Sequence, residues 1–394
     1  MKERLGILPR QPFLSSSKGP RIWVHAASLG EVRVALAVLD FLKKMIGDCS
    51  LILSTSTVHG KELAVQSLPD VPVIIAPLDH AMPVRRSLSR VHPDVMVFLE
   101  TEIWPTWLME SHRMGIKTAL INGRISPRSI EKYLKLRPFF REVLKCVDCF
   151  SMISEQDARR IQSMGADPHR ITIQGNAKYD LMASQADPEF EQEMRRKLSL
   201  EPAHRVFIAG STRGGEETMI LDAYENILQE FPDTILVIAP RHITRTSEIE
   251  TMLRGRGLGY QLRTELDAPG SHRTERVLIM NTFGELFKLY SVGTIVFCGA
   301  SLVPLGGQNP LEAAVWGKVV FYGPSMEDFL DAKALLEEVG AGIQVTGARD
   351  LSEKSLGFLK NQEHLNALGK KARESILKSQ GAANKHAKVI TRLL

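Results

Sequence analysis

The sequence predicts an α/β protein of two doubly wound, Rossmann-like domains, each built on a mostly parallel sheet. Three observations carry that expectation. Short apolar runs bounded by turn residues alternate with longer stretches of helical period along the whole chain. The pattern breaks at one polar stretch, 180-DLMASQADPEFEQEMRRKLSLEPAHR-205, and then begins again. The length of 394 residues also exceeds what one hydrophobic core usually supports.

In the first half the apolar runs predict strands at 22–25, 51–54, 73–76, 95–99, 118–121, 149–152 and 171–173. Between them lie helical patterns such as 31-EVRVALAVLDFLKKM-45 and 155-EQDARRIQSMG-165. A second set of strands is expected at 206–209, 235–239, 260–262, 277–280, 295–298 and 319–322. The expected organisation is therefore a first domain at 1–180, a second at 181–365, and closing helices at 366–394 that pack back on the first. Two such domains facing each other leave a cleft lined by the carboxyl ends of both sheets, where ligands bind in open α/β folds.

Composition narrows the function. With 44% hydrophobic and 24% charged residues the chain is globular, neither disordered nor fibrous. Its four cysteines are scattered, as in a reduced protein, and the pair Cys146 and Cys149 lacks the second pair or histidines that would complete a zinc site. No apolar run approaches the ~20 residues of a membrane span. The opening MKERLGILPRQPFLSSSKGP is too polar for a signal peptide, so a soluble chain able to meet a membrane surface is expected. The net charge of +5 is uneven: residues 1–180 hold 25 Lys and Arg against 18 Asp and Glu, the remainder 25 against 27. A basic first half points to an anionic partner, or else to plain solvated surface. Nucleic acid is disfavoured, because the basic residues are not interleaved with aromatics.

Several stretches could carry chemistry. At 25-HAASLGEV-32 a strand passes through small residues into a helix and places Glu31 where a phosphate would otherwise be invited. Glu100 and Glu102 end the strand 95–99 beside Trp104, an arrangement suited to a polyhydroxylated ligand or, alternatively, to helix-cap charges. The basic and aromatic segment 121-INGRISPRSIEKYLKLRPFFREVLK-145 could meet lipid phosphates or form an ordinary amphipathic helix. In the second half, Gly210-Ser211-Thr212 leads to a helix expected near Glu216, offering N–H groups and hydroxyls to an anion; a plain capped helix is the alternative. Arg241 and His242 follow the strand 235–239, where an arginine can pair with phosphate. Finally GGQNPLEAA is expected to bring Gly306 and Gly307 close to a ligand, with Asn309 as N-cap, Pro310 opening a helix and Glu312 in its first turn. Glu312 suits a pair of ribose hydroxyls, or compensates the helix dipole. There is no D-x-D motif and no metal-ligand spacing.

Taken together, HAASLGEV, FLETEIWP, NGRIS, STRGGEE, APRH and GGQNPLEAA resemble, in order and spacing, the 3-deoxy-D-manno-oct-2-ulosonic acid (Kdo) transferases of Gram-negative bacteria. The likeness runs from about Arg21 to Leu394. It implies the glycosyltransferase B fold, CMP-Kdo as donor, and the lipid A precursor lipid IVA as acceptor, with inversion and with neither metal nor cofactor. By the same resemblance Glu31 is the general base, and Ser28, Gly30, Glu100, Glu102 and Arg124 face the acceptor. Ser211, Thr212, Arg241, His242, Gly307 and Asn309 would hold CMP, Glu312 its ribose, and Phe283 with Gly284 would border the cytosine. Members of the family usually begin with a membrane-anchoring helix, and this chain opens in what resembles the segment after it. It is thus expected to be trimmed, or to bind the cytoplasmic face of the inner membrane through its basic first half, at ~1 kcal/mol per basic residue near the lipid.

Overall fold

A computed structural model describes residues 1–8 and 19–394, apart from the side chains of 181, 183 and 184. Residues 9–18, part of the opening judged too polar for a signal peptide, lie outside the described residues. Two all-parallel sheets of seven strands make up the scaffold. The first holds β1 (Arg21–His25), β2 (Ser50–Thr55), β3 (Val73–Ile75), β4 (Val95–Leu99), β5 (Lys117–Gly123), β6 (Cys149–Met152) and β7 (Ile171–Ile173), in the order β3-β2-β1-β4-β5-β6-β7. The second holds β8 (Val206–Thr212), β9 (Ile235–Pro240), β10 (Tyr260–Leu262), β11 (Val277–Ile279), β12 (Ile295–Cys298), β13 (Val320–Tyr322) and β14 (Gly342–Gln344), in the order β10-β11-β9-β8-β12-β13-β14. Every expected strand is present; β14 was not anticipated, because a three-residue edge strand with one apolar side chain makes no apolar run.

The strands are legible as continuous apolar runs because both faces of each sheet are covered. In the first sheet Ile22, Val24, Leu53, Val95, Val97 and Leu99 pack with the helix Leu29–Ile46 on one face. Their neighbours Trp23, Ile52, Met96 and Phe98 pack on the other with the helices Ala81–Val91 and Pro105–Arg113. The side-chain period of two thus splits each strand between two cores. Connections diverge between β1 and β4 in the first sheet and between β8 and β12 in the second, and these switch points place the loops described below.

The chain divides into two units, Met1–Leu181 with Ser379–Leu394, and Met182–Lys378. The return to the first unit therefore starts at 379 and not at 366. Helix Gln362–Lys378 stays with the second unit: Leu365 and Leu368 join its core, and a Cβ on Gly369 would lie 1.9 Å from the Gly317 carbonyl oxygen. Only the helix Ala382–Thr391 returns, burying Ala383, Ala387 and Ile390 against the first sheet. Its start is tied by Asp180, which accepts the N–H groups of Gly381 (2.6 Å) and Ala383 (2.8 Å).

The same helix carries His386, fully buried, with Nε2 donating to the Gly175 carbonyl (3.1 Å) and Nδ1 against the Ser151 hydroxyl (2.7 Å). Burial disfavours the imidazolium and pushes its pKa down to about 4. The unfolded chain then takes up a proton near pH 6.5 that the native chain refuses, so stability present above pH 6.5 is lost as the pH falls toward 4. That linkage amounts to ~3 kcal/mol. In denaturant titrations the advantage of the wild type over His386→Gln should shrink by about this amount between pH 7 and pH 4; a difference independent of pH would contradict it.

Candidate active site

Helix Leu29–Ile46 starts one turn after β1 because Ser28 is a strong N-cap. Ser28 Oγ accepts the Glu31 N–H (3.3 Å) and donates to Glu31 Oε1 (2.9 Å), while the Ala27 N–H donates to Oε2 (2.9 Å). This Ser-x-x-Glu arrangement is close to a capping box, and it fixes the carboxylate at the carboxyl end of β1. Glu31 is only 7% exposed. Burial, followed by the charges of Glu100 and then Glu102, outweighs its two hydrogen bonds and raises its pKa to about 7. A carboxylate so poised can accept a proton near neutral pH.

Glu100 and Glu102 come from the loop after β4, across the switch point. Glu100 sits at φ 53°, a left-handed conformation that costs a side-chain-bearing residue ~1–3 kcal/mol. It pairs with Lys178 at 2.6 Å. Glu102 accepts the indole N–H of Trp104 and lies 3.7 Å from Nε2 of the buried His25. The ring of His25 is wedged against Trp104 and Trp107, with Nδ1 3.0 Å from the Ser54 hydroxyl. Trp23 donates to the same hydroxyl (2.9 Å), so the Ser54 oxygen ties the indole and the imidazole together. Arg124, after β5, is half-buried and its N–H points to the Glu100 carbonyl at 3.4 Å. Ser28 and Gly30 are exposed at the helix start. A Cβ on Gly30 would meet nothing nearer than Ser28 Oγ at 3.9 Å, so neither packing nor a positive φ calls for glycine there.

In the second unit Gly210, Ser211 and Thr212 belong to β8 itself. The register shifts between Gly210 and Thr212, and Ser211 takes φ 55° at this bulge. Ser211, Arg241, Phe283 and Gly284 line one cavity of about 100 Å³ at the carboxyl ends of β8, β9 and β11. Phe283 is 81% exposed on its rim, on a loop anchored by Glu285, which accepts the Thr282 hydroxyl and pairs with Lys197 and Arg263. The side chains of Arg241 and His242 are exposed and have no partner among the described residues. Thr212 is buried with its hydroxyl unpaired.

The anion expected at the start of the next helix is supplied by the protein. That helix spans Glu217–Glu230, and the preceding Glu216 is fully buried. Its carboxylate accepts N–H groups from Arg213 (2.9 Å), Ala300, Ser301 (3.3 Å) and Leu302 (3.3 Å), locking the loop after β12 to the end of β8. Burial nevertheless raises its pKa. Glu217 beside it holds Arg245 at 2.6 Å. The other expected donor residues lie beyond this loop. Asn309 Oδ1 accepts the Leu311 N–H (3.2 Å), but the residue flanking the helix is Pro310 and the helix has four residues, Leu311–Ala314, with Glu312 half-buried in it. Gly307 has φ 77° and its missing Cβ makes room for Met326 Sδ, 2.4 Å away, which is a packing reason for glycine. Thr212, His242, Gly307, Asn309 and Glu312 do not line the Ser211 cavity. Among the described residues no three His, Cys, Asp or Glu side chains are gathered as for a metal ion.

Two doubly wound parallel sheets, with polar and charged residues gathered at both switch points, are the architecture of the glycosyltransferase B fold. A family model described as 3-Deoxy-D-manno-octulosonic-acid transferase (kdotransferase) matches residues 1–181. The 3-deoxy-D-manno-octulosonic acid transferase of Rickettsia conorii is 30% identical over 397 residues, covering 100% of this chain and 83% of its own. The chain belongs to the Kdo transferase family. A bifunctional glycosyltransferase/methyltransferase of Fusobacterium nucleatum is 32% identical over 360 residues; the match takes in 90% of this chain and about half, 55%, of that longer relative. Among solved structures a glycosyltransferase from Rickettsia africae shares the fold, with a TM-score of 0.65 at 13% identity over 95% of this chain and 99% of its own.

Glu216→Ala would strand four inward N–H groups at once. Thermal or denaturant unfolding of the variant should show a loss of ~3 kcal/mol or more in the second unit. A change below ~0.5 kcal/mol would mean that the loop is held by something else.

Proposed function

We propose that this protein transfers Kdo from CMP-Kdo to a sugar hydroxyl of the lipid A precursor lipid IVA, with inversion at the anomeric carbon. The observation that carries this reading is the buried carboxylate of Glu31, raised to about 7 beside Glu100 and Glu102. As the acceptor oxygen bonds to the anomeric carbon, its proton passes to Glu31. The bond from that carbon to the donor phosphate breaks, and its electron pair leaves with CMP. The first unit supplies the base and the acceptor contacts, with Glu100, Glu102 and Arg124 for polar groups of the sugar and room at Ser28 and Gly30 for its approach.

The second unit supplies the leaving-group contacts. The unpartnered guanidinium of Arg241, with His242, matches the phosphate of CMP, and Ser211 and Thr212 add hydroxyls. Phe283 offers an exposed ring face to the cytosine beside Gly284, while Gly307, Asn309 and Glu312 serve the sugar-phosphate, Glu312 as a bidentate acceptor for ribose. CMP carries a single phosphate, so this scheme uses neither a bridging cation nor a cofactor. No helix among the described residues is long and apolar enough to cross a membrane. In this reading the basic first unit meets the anionic cytoplasmic face of the inner membrane, where the lipid acceptor lies.

Glu31→Gln should lower transfer ~10²–10⁴-fold in an assay of labelled Kdo incorporation into lipid IVA, while calorimetry finds CMP bound as in the wild type; residual transfer within tenfold would remove the base assignment. The acidic limb of the pH–rate profile should fall near pH 7, where Glu31 protonates. Glu100→Gln removes the like charge that acts more strongly on Glu31 and should move that limb to lower pH, whereas an unmoved limb would assign the titration elsewhere. Calorimetry should also rank CMP above UDP, with Arg241→Ala weakening CMP tenfold or more.

A further inference from the structure

The opposite edge of the second sheet holds a larger cavity, of about 370 Å³. It opens where strands begin: Arg205 directly precedes β8, Thr294 precedes β12, and Lys318 lies just before β13. Arg195, His204, Gln362 and Asn366 complete its polar wall. Arg205 and Ser211 are six residues apart along one strand, so this cavity lies about 20 Å from the donor loops.

The charge is one-sided. Neither Lys318 nor Arg205 has a carboxylate partner among the described residues; the guanidinium of Arg205 lies over the Phe231 ring, 4.8 Å from its centre, which steadies it without neutralising it. Arg195 is paired to Glu191 at 3.0 Å, and Glu191 is the one acid that acts on Lys318. His204 accepts the Glu201 N–H on Nδ1 (2.8 Å), which leaves Nε2 as a donor. Burial and the neighbouring Arg195 push the Lys318 ammonium down to about 8, so it is still mostly charged at neutral pH and gains from any anion placed beside it. A fold that needed this corner only for packing would pair the lysine or replace it with an apolar residue.

We propose that this cavity is a binding site for a small phosphate-bearing anion, gripped by Lys318, Arg205 and Arg195, with His204 and Asn366 as neutral donors. Its volume falls in the range of small-ligand sites, and its polar wall selects a compact charged group over an apolar one. A free phosphate compound and a phospholipid headgroup both present this chemistry.

Titration of the full chain with inorganic pyrophosphate by calorimetry tests the site. With saturating CMP present to occupy the donor loops, binding is expected, weakened tenfold or more in Lys318→Gln and in Arg205→Gln. Circular dichroism melts identify any variant that fails to fold; the other variant then decides. A second arm uses phosphatidylglycerol vesicles: co-sedimentation that drops in Lys318→Gln, with no pyrophosphate binding, identifies a headgroup as the source. The proposal is overturned if neither probe depends on Lys318 or Arg205, or if saturating CMP abolishes pyrophosphate binding.

Discussion

The contest over the proton of Glu31 is the constraint on which the rest of the first unit depends. Ala27 and Ser28 give the carboxylate two hydrogen bonds, which favour its charge, while burial and the nearby Glu100 and Glu102 oppose it. The opposition wins, by enough to bring the group to about 7, where it exchanges a proton near neutral pH. Each contributor has its own scaffold. The N-cap places Glu31 at the end of β1, a left-handed residue turns the chain after β4, and Lys178 holds Glu100.

Glu216 shows what the same fold does with a carboxylate at the other switch point. It too follows the first strand of its unit, and it too is buried, but four N–H groups from two loops converge on it, and it is spent on holding those loops together. The contrast is one of partners and neighbours: Glu31 has two donors and two nearby acids, Glu216 four donors and one nearby acid, Glu217. A carboxylate saturated in this way is structural, and one left with lone pairs and like charges beside it suits proton transfer. Backbone strain marks both places. Glu100, Asn122, Ser211 and Ala300 all have positive φ, and all lie at or just beyond the carboxyl ends of β4, β5, β8 and β12.

Much of the fold was legible because strands covered on both faces are apolar throughout; Val95–Leu99 shows it as plainly in the sequence as in the sheet. β14 was not legible, since Gly342–Gln344 has no such run, and the extent of the returning segment was not, since it turns on a glycine contact between Gly317 and Gly369. At the site, Glu31 stood out as an acid in a turn of small residues, and Ser211, Arg241, Phe283 and Gly284 emerged from strand ends that the structure gathers around one cavity. The structural role of Glu216 stayed hidden inside a motif that contains it, because three of its four partners are backbone groups 84 to 86 positions away. Lys178 was hidden for the same reason, as its pairing with Glu100 spans most of the first unit's second half.

The proposed reaction divides the labour, with proton transfer in the first unit and stabilisation of the leaving group in the second. Its centre is the protonation state of one side chain. The most direct measurement is the carboxyl ¹³C titration of Glu31, by NMR on glutamate-labelled protein, assigned by the signal that vanishes in Glu31→Gln. The account predicts a midpoint of about 7. A midpoint in the ordinary glutamate range, near the unperturbed value of 4.5, would contradict it.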